Sequence, residues 1–373
     1  MMKILIIMGG FFPGKRYGGP PVSVDNFCAL MKDTLDCFIV TQNHDMGLNT
    51  PYSGVHEGWN DRGNAKVKYV SDDDYNSKTF ELAIQELCPD YIYLQGLFQE
   101  CVLPCLRLAQ KYHLRVVLAP RGELCAGAFH KRYKKLPYIA FLRVAGLVKK
   151  ITYQSTSDEE TEAIKKYLGA DESRIHLLSN IPSTPGTLPV RNLKGVGVGR
   201  FVFISRILWK KNLLMAINAL KGISGKAVLD VFGPKEDELY WAECEKAIKE
   251  LPVNIEVNYC GVLSHDEIHA TFSKYDAFLF PTMSENYGHV IAESLLSGCI
   301  PIISDQTPWN DMNEAGAGWA IPLADQNQFQ RVIQRIIDMD EKTIAGIREN
   351  ITRYITNRLN LKKLKAEYLS VFK

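Results

Sequence analysis

Long hydrophobic runs are missing from this chain. Nowhere in its 373 residues do about 18 apolar residues follow one another, so no membrane-crossing helix is expected. The opening MMKILIIMGG is too short in its apolar part for a secretory signal and has no small-residue cleavage pattern, which reads as a soluble intracellular protein. An excess of one charge is also lacking: 44 Lys and Arg face 42 Asp and Glu, for a formal net charge of +2. With no RNA-binding aromatic motif and no zinc-finger spacing, nucleic acid is excluded as the main partner. The nine cysteines are odd in number and scattered without a Cys-x-x-Cys, and are expected as buried, reduced thiols. Among the eight histidines only His265 and His269 stand four apart, a spacing expected on a short surface helix, so no metal is assigned. SDDDY (71–75) is read as a polar surface turn rather than a cation site. Neither G-x-G-x-x-G nor a P-loop is present.

What is present is alternation. The apolar runs KILIIM, CFIVTQ, YIYLQG, RVVLAP, ITYQST and RIHLLS are separated by segments of helical period such as SKTFELAIQELC. A second series, RFVFISRI, KAVLDVFG, NIEVNYCG, YDAFLFPT, CIPIIS and GWAIPL, repeats the arrangement. Between them IPSTPGTLPVRNLKGVGVG gathers Pro, Gly and Thr without helical period. The fold class is therefore α/β: two facing doubly wound parallel-sheet, Rossmann-like domains with an inter-domain cleft. The expected division is a first domain over 1–182, a linker over 183–199 and a second domain over 200–354, with a C-terminal helix (355–373) packing back on the first domain. In such folds ligands bind beyond the carboxyl ends of the strands.

Three strand-exit loops carry unusual polar content. The first, GGFFPGKRYGGPPVSVDNF, includes Gly18 and Gly19 and leads into a helix whose first turn suits Pro20 and Pro21; it is either a structural turn or a phosphate cradle. The second, SRILWKKN, sets Arg206, Lys210 and Lys211 after the first strand of the second domain. Cations sit poorly at a helix N-terminus, and that misfit favours an anionic ligand. The third is ENYGHVIAE (285–293). On one continuous helix Glu285 and Glu293 would lie roughly 80° apart around the axis. The flanking strand-like runs instead place Glu285 in a loop and Glu293 about a turn inside the next helix. Alone, the pair has an ordinary alternative: one carboxylate complementing a helix dipole, the other solvated.

Taken together, Gly18-Gly19, APRGEL, STSDEETEAI, SRILWKKN and PTMSENYGHVIAESLLSGCIPIISDQTPW resemble the retaining, metal-independent glycosyltransferases of family four, which have the GT-B fold. The resemblance covers nearly the whole chain. It implies a nucleoside-diphosphate sugar, a UDP-sugar above all, as donor substrate, with no cofactor. Glu293 would hold the ribose, and Glu285 would lie beside the transferred sugar. Arg206 and Lys211 would neutralise the diphosphate, and the backbone N–H groups of Asn286, Tyr287 and Gly288 would reach sugar or diphosphate oxygens. Gln95 stands where relatives often have His, and with Arg121 it is a candidate for the acceptor or sugar side. The implied acceptor is a saccharide, in many relatives lipid-linked, in O-antigen, capsule or exopolysaccharide assembly at the cytoplasmic face of the membrane. Consistent with that, FHKRYKKLPYIAFLRVAGLVKK (129–150) interleaves Lys131, Arg132, Lys134 and Lys135 with apolar residues, as a helix lying on an anionic surface does. The alternatives are a solvated helix there and, for the whole chain, a nucleotide-sugar epimerase of the same fold or a non-catalytic scaffold.

Overall fold

The computed structural model describes every residue except Gly18, 126–128, His130, Lys131, Asn192 and Lys373; the side chain of Arg132 also lies outside it. The expectations for Gly18, Lys131 and the Arg132 side chain therefore fall outside the described residues.

The chain forms two compact units, Met1–Ile181 with Leu361–Lys373 and Pro182–Asn360. The first is built from β1 (Met2–Ile7), α1 (Gly19–Met31), β2 (Leu35–Gln42), β3 (Trp59–Asp61), β4 (Lys66–Val70), α2 (Ser77–Leu87), β5 (Tyr91–Gln95), α3 (Val102–Tyr112), β6 (Arg115–Ala119), α4 (Arg132–Val144), β7 (Thr152–Ser155), α5 (Asp158–Leu168) and β8 (Ile175–Leu177). Its eight strands run in the order β3-β4-β2-β1-β5-β6-β7-β8. All pairs are parallel except β3 with β4. Local signals agree with this layout. The Asn76 side chain caps α2 by accepting from Lys78 and Thr79 N–H, and Ser157 caps α5. Every residue of YIYLQ in β5 is buried, as in a sheet covered on both faces. One apolar cluster lies on each face of this sheet.

The second unit contains β9 (Val198–Ile204), α6 (Leu213–Asn218), β10 (Lys226–Phe232), α7 (Glu238–Lys249), β11 (Ile255–Tyr259), α8 (Ile268–Phe272), β12 (Ala277–Phe280), α9 (His289–Leu296), β13 (Ile300–Ser304), β14 (Trp319–Ile321), α10 (Gln326–Asp338) and α11 (Glu341–Arg358). Its sheet, β11-β10-β9-β12-β13-β14, is wholly parallel. This is the strand order of a dinucleotide-binding domain, in which direction of winding reverses between the first and fourth strands. That switch point lies between β9 and β12.

After α11 the chain rejoins the first unit as α12 (Leu361–Val371). Tyr368 and Phe372 pack on Phe27 at ring-centroid distances of 5.7 and 5.6 Å. Phe372 also meets Tyr91 and Tyr93 edge-on. Burying such a ring contributes about 2–3 kcal/mol, enough to hold a short terminal helix in place.

β3 and β4 add to the strands the sequence pattern announces, because KVKYV alternates Lys with apolar residues instead of forming a continuous apolar run. One sequence expectation is corrected. Of the cysteines, Cys88 and Cys260 are exposed rather than buried; Cys88 occupies the left-handed cap position of α2.

Candidate functional site

At the switch point of the second unit, the loops leaving β9 and β12 are stitched together. Asn212, in the left-handed region at φ 61°, donates from Nδ2 to Pro281 O at 3.0 Å, and Met283 N–H donates to Lys210 O at 2.9 Å. A short 3-10 turn, Trp209–Lys211, aims Lys211 across this seam. Its ammonium binds Glu285 Oε1, which also accepts from the Thr282 hydroxyl at 3.2 Å. Only 14% and 13% of the Lys211 and Glu285 side chains remain exposed. A pair so far withdrawn from water is costly to break, since either partner alone would be a buried, uncompensated charge. Arg206, from the same loop, pairs with Glu236 at 3.2 Å but stays 40% exposed. Such a pair is worth about 0–1 kcal/mol, so Arg206 can turn to a stronger anion at little cost.

The loop after β12 then turns into α9. Gly288 caps the helix with φ 75°, and a Cβ there would stand 2.8 Å from the Ile291 side chain, so glycine is required twice over. The N–H groups of Tyr287 and Gly288 find no acceptor among the described residues. The Glu285 N–H donates to Gln306 O at 3.0 Å, and the fully buried Trp309 donates its indole N–H to Tyr287 O at 2.5 Å. The Thr-Pro-Trp turn is therefore a clamp on this loop. Glu293 sits one turn inside α9 and is 3% exposed. Burial pushes its carboxyl above the ordinary value of 4.5, opposed by the nearby His265 and by a hydrogen bond from Ser183 Oγ at 3.0 Å.

Residues 190–357 match the family model described as glycosyl transferases group 1. No curated protein sequence matches the chain. Among solved structures, the Anabaena protein HepE in complex with UDP-glucose is similar with a TM-score of 0.70 at 16% identity, covering 99% of this chain and 100% of that one. WaaG, a glycosyltransferase involved in lipopolysaccharide biosynthesis, gives 0.66 at 14% identity over 99% of both chains. An E. coli trehalose-6-phosphate structure bound with UDP-2-fluoro glucose gives 0.67 at 11% identity, covering 99% of this chain and 98% of that one. These likenesses establish the fold, two α/β units of the GT-B type.

The structure thus brings Lys211 and Glu285 together and sets Asn286, Tyr287 and Gly288 ahead of α9. Thr282, Trp309, Ser183 and His269 were missed as contributors. The last is a correction: His269 is not on a surface helix but 8% exposed, with ring nitrogens on Ser183 and Ser297. Its apolar surroundings in SHDEIHATF were the available signal.

The first unit has a site of its own at its switch point, between β1 and β5. A cavity of about 520 Å³ is lined by Gly9, Gly10, Tyr17, Gln95, Phe98 and Arg121, among others. Gly10 is pressed beneath the Tyr17 ring, where a Cβ would stand 2.2 Å from ring carbons. Gly19 opens α1 with Pro20 and Pro21 in its first turn. Arg121 holds a left-handed backbone (φ 56°), a strained state for a non-glycine residue. Its guanidinium donates to Gln95 Oε1 at 2.7 Å and Asn180 Oδ1 at 2.6 Å, and no carboxylate pairs with it among the described residues. Gln95 is 3% exposed, and with its oxygen occupied its buried Nε2 finds no partner among the described residues.

Glu293 gives a stability prediction. A carboxyl whose folded-state pKa is raised binds more protons in the native than in the unfolded chain. Stability therefore falls as pH rises from 4.5 through the raised value. Glu293→Gln should raise the melting temperature at pH 7.5, with the gain shrinking as the pH is lowered towards the ordinary carboxyl range. Differential scanning calorimetry across pH checks this, and an unchanged or lowered melting temperature at neutral pH contradicts it.

Proposed function

We propose that the protein is a retaining hexosyltransferase that moves a sugar from a nucleoside diphosphate, UDP above all, to a saccharide acceptor without a metal ion. The single observation that carries this is the switch point of the second unit. There a cation-acid pair, Lys211–Glu285, lies beside the open N-terminus of α9, and a buried carboxylate, Glu293, lies one turn further in. Glu293 accepts the ribose hydroxyls. The N–H groups of Tyr287 and Gly288, with Asn286, take sugar or phosphate oxygens at the positive end of the helix. Arg206 and Lys211 neutralise the diphosphate, whose negative charge grows as it departs. Glu285, held by Lys211 and Thr282, positions the donor sugar and supports its developing positive charge; no nucleophilic role is assigned to it. The acceptor hydroxyl attacks on the face from which the diphosphate leaves, and a departing phosphate oxygen takes its proton.

In this reading the first unit (Met1–Ile181 with Leu361–Lys373) takes the acceptor and the second takes the nucleotide sugar. Gln95 and Arg121 serve the sugar side through the cavity of the first unit, and Gly18 and Gly19 remain assigned to donor binding. The similarity to HepE with its UDP-glucose supports a UDP-sugar donor, and the similarity to WaaG supports a role in lipopolysaccharide assembly.

A lipid-linked acceptor at the cytoplasmic face of the membrane is supported by α4. Tyr133, Phe141 and Val144 are 70%, 43% and 90% exposed, and with Pro137 and Ala140 they form an outward apolar stripe. Lys134, Arg143, Lys149 and Lys150 lie exposed around it. No described helix is long and apolar enough to cross a membrane. The protein therefore attaches peripherally, through an interfacial helix.

Three experiments test these assignments. In a thermal-shift panel, UDP and UDP-sugars should raise the melting temperature, by about 2.7 kcal/mol of stabilisation at a hundredfold excess over Kd, while nucleosides should not. Arg206→Ala should lower turnover on the order of a hundredfold. No shift with any sugar nucleotide, or an epimer formed without acceptor, contradicts the reading. Neutralising Lys131, Arg132, Lys134 and Lys135 together should cut partition onto anionic vesicles by at least roughly a hundredfold, at about 1 kcal/mol per cation. Unchanged vesicle binding contradicts the membrane assignment.

A further inference from the structure

Glu293 is not an isolated carboxylate. Ser183, the second residue of the second unit, donates its hydroxyl hydrogen to Glu293 Oε1 at 3.0 Å. That hydroxyl has one hydrogen, so its oxygen can only accept from His269 Nε2, 2.9 Å away. The proton of His269 is thereby assigned to Nε2, leaving Nδ1 to accept from the Ser297 hydroxyl at 2.8 Å. One donor order runs through four residues: Ser297 to His269, His269 to Ser183, Ser183 to Glu293. His269 comes from α8 and Ser297 from the C-terminal cap of α9; they are 8% and 1% exposed.

We propose that His269 is a positioning residue for the donor nucleotide, holding the Glu293 carboxylate through Ser183 in the orientation that receives the ribose. The inference rests on the assignment of Glu293 to the ribose hydroxyls. A carboxylate can accept along several lone-pair directions, and a buried one with no donor turns or takes up a proton. Here one oxygen is tied to a hydroxyl that is itself tied to a ring fixed at both nitrogens, so the remaining lone pairs point in one direction. The titratable groups facing this site are His265 at the start of the turn before α8, His269 itself and Tyr287 ahead of α9. Burial and the neighbouring His265 keep His269 neutral, pushed down to about 4, which the one-hydrogen-per-link order requires.

The test uses the full chain with His269→Leu, Ser183→Ala and His269→Gln, the last retaining an N–H donor at similar reach. Calorimetric Kd values are measured for UDP and for 2′,3′-dideoxyuridine diphosphate, and KM and kcat for the UDP-sugar that stabilises the protein most. The expected result is a roughly tenfold rise in Kd for UDP and in donor KM with His269→Leu and Ser183→Ala, kcat moving less than twofold, and recovery with His269→Gln. The dideoxy nucleotide should bind all variants like the wild type, because it makes no use of Glu293; a folding defect would weaken both nucleotides. If the wild type prefers UDP but His269→Leu and Ser183→Ala keep that preference in full, the positioning role is overturned. If the wild type itself does not distinguish the two nucleotides, the ribose assignment of Glu293 fails instead.

Discussion

The ion pair between Lys211 and Glu285 is the constraint on which the second unit's site depends. It closes the seam between two loops that belong to strands adjacent at the switch point, and both its members are largely out of water. The surrounding bonds, Asn212 to Pro281 and Met283 to Lys210, are neutral and would allow the loops to slide. The charged pair fixes their register, because any displacement strands a charge in a low-dielectric setting. In the proposed reaction the same ammonium that restrains the acid would also face the departing phosphate.

A second consequence is division of labour along a single short segment. From Thr282 to Glu293 the chain supplies a hydroxyl, an acid in the loop, an open helix end and a buried acid, with Gly288 making the corner. The clamp from Gln306 and Trp309 keeps this corner from fraying. Burying Glu293 against the neutral Ser183 hydroxyl costs stability, a perturbed environment of the kind that clusters at functional sites.

Much of this was legible beforehand, for identifiable reasons. Continuous apolar runs such as YIYLQ and IPIIS announce buried parallel strands, and they were assigned where they occur. Glu285 in a loop and Glu293 one turn into α9 followed from placing ENYGHVIAE between two such runs. What stayed hidden depends on contacts remote in sequence. Ser183 reads as part of a Pro- and Thr-rich linker, and only the fold brings it to Glu293, 110 residues on. His269 reads as half of a surface pair, since nothing local shows that α8 packs on α9. The stripe of α4 lay between these cases: its composition was visible, but which apolar residues face outward was not.

The first unit repeats the same physics with different chemistry. Its switch point is lined by amide, guanidinium and aromatic groups and by the carboxylates of Glu100 and Glu123, with no ion pair to Arg121 among the described residues, a lining that in the proposed reading would meet the hydroxyls and apolar faces of a sugar. The account is tested most directly by a crystal structure with a fluorinated, non-transferable UDP-sugar. It predicts the ribose hydroxyls within about 3 Å of the Glu293 carboxylate and the diphosphate against Arg206, Lys211 and the head of α9. A nucleotide bound elsewhere, or one whose ribose leaves Glu293 on Ser183 alone, would contradict it.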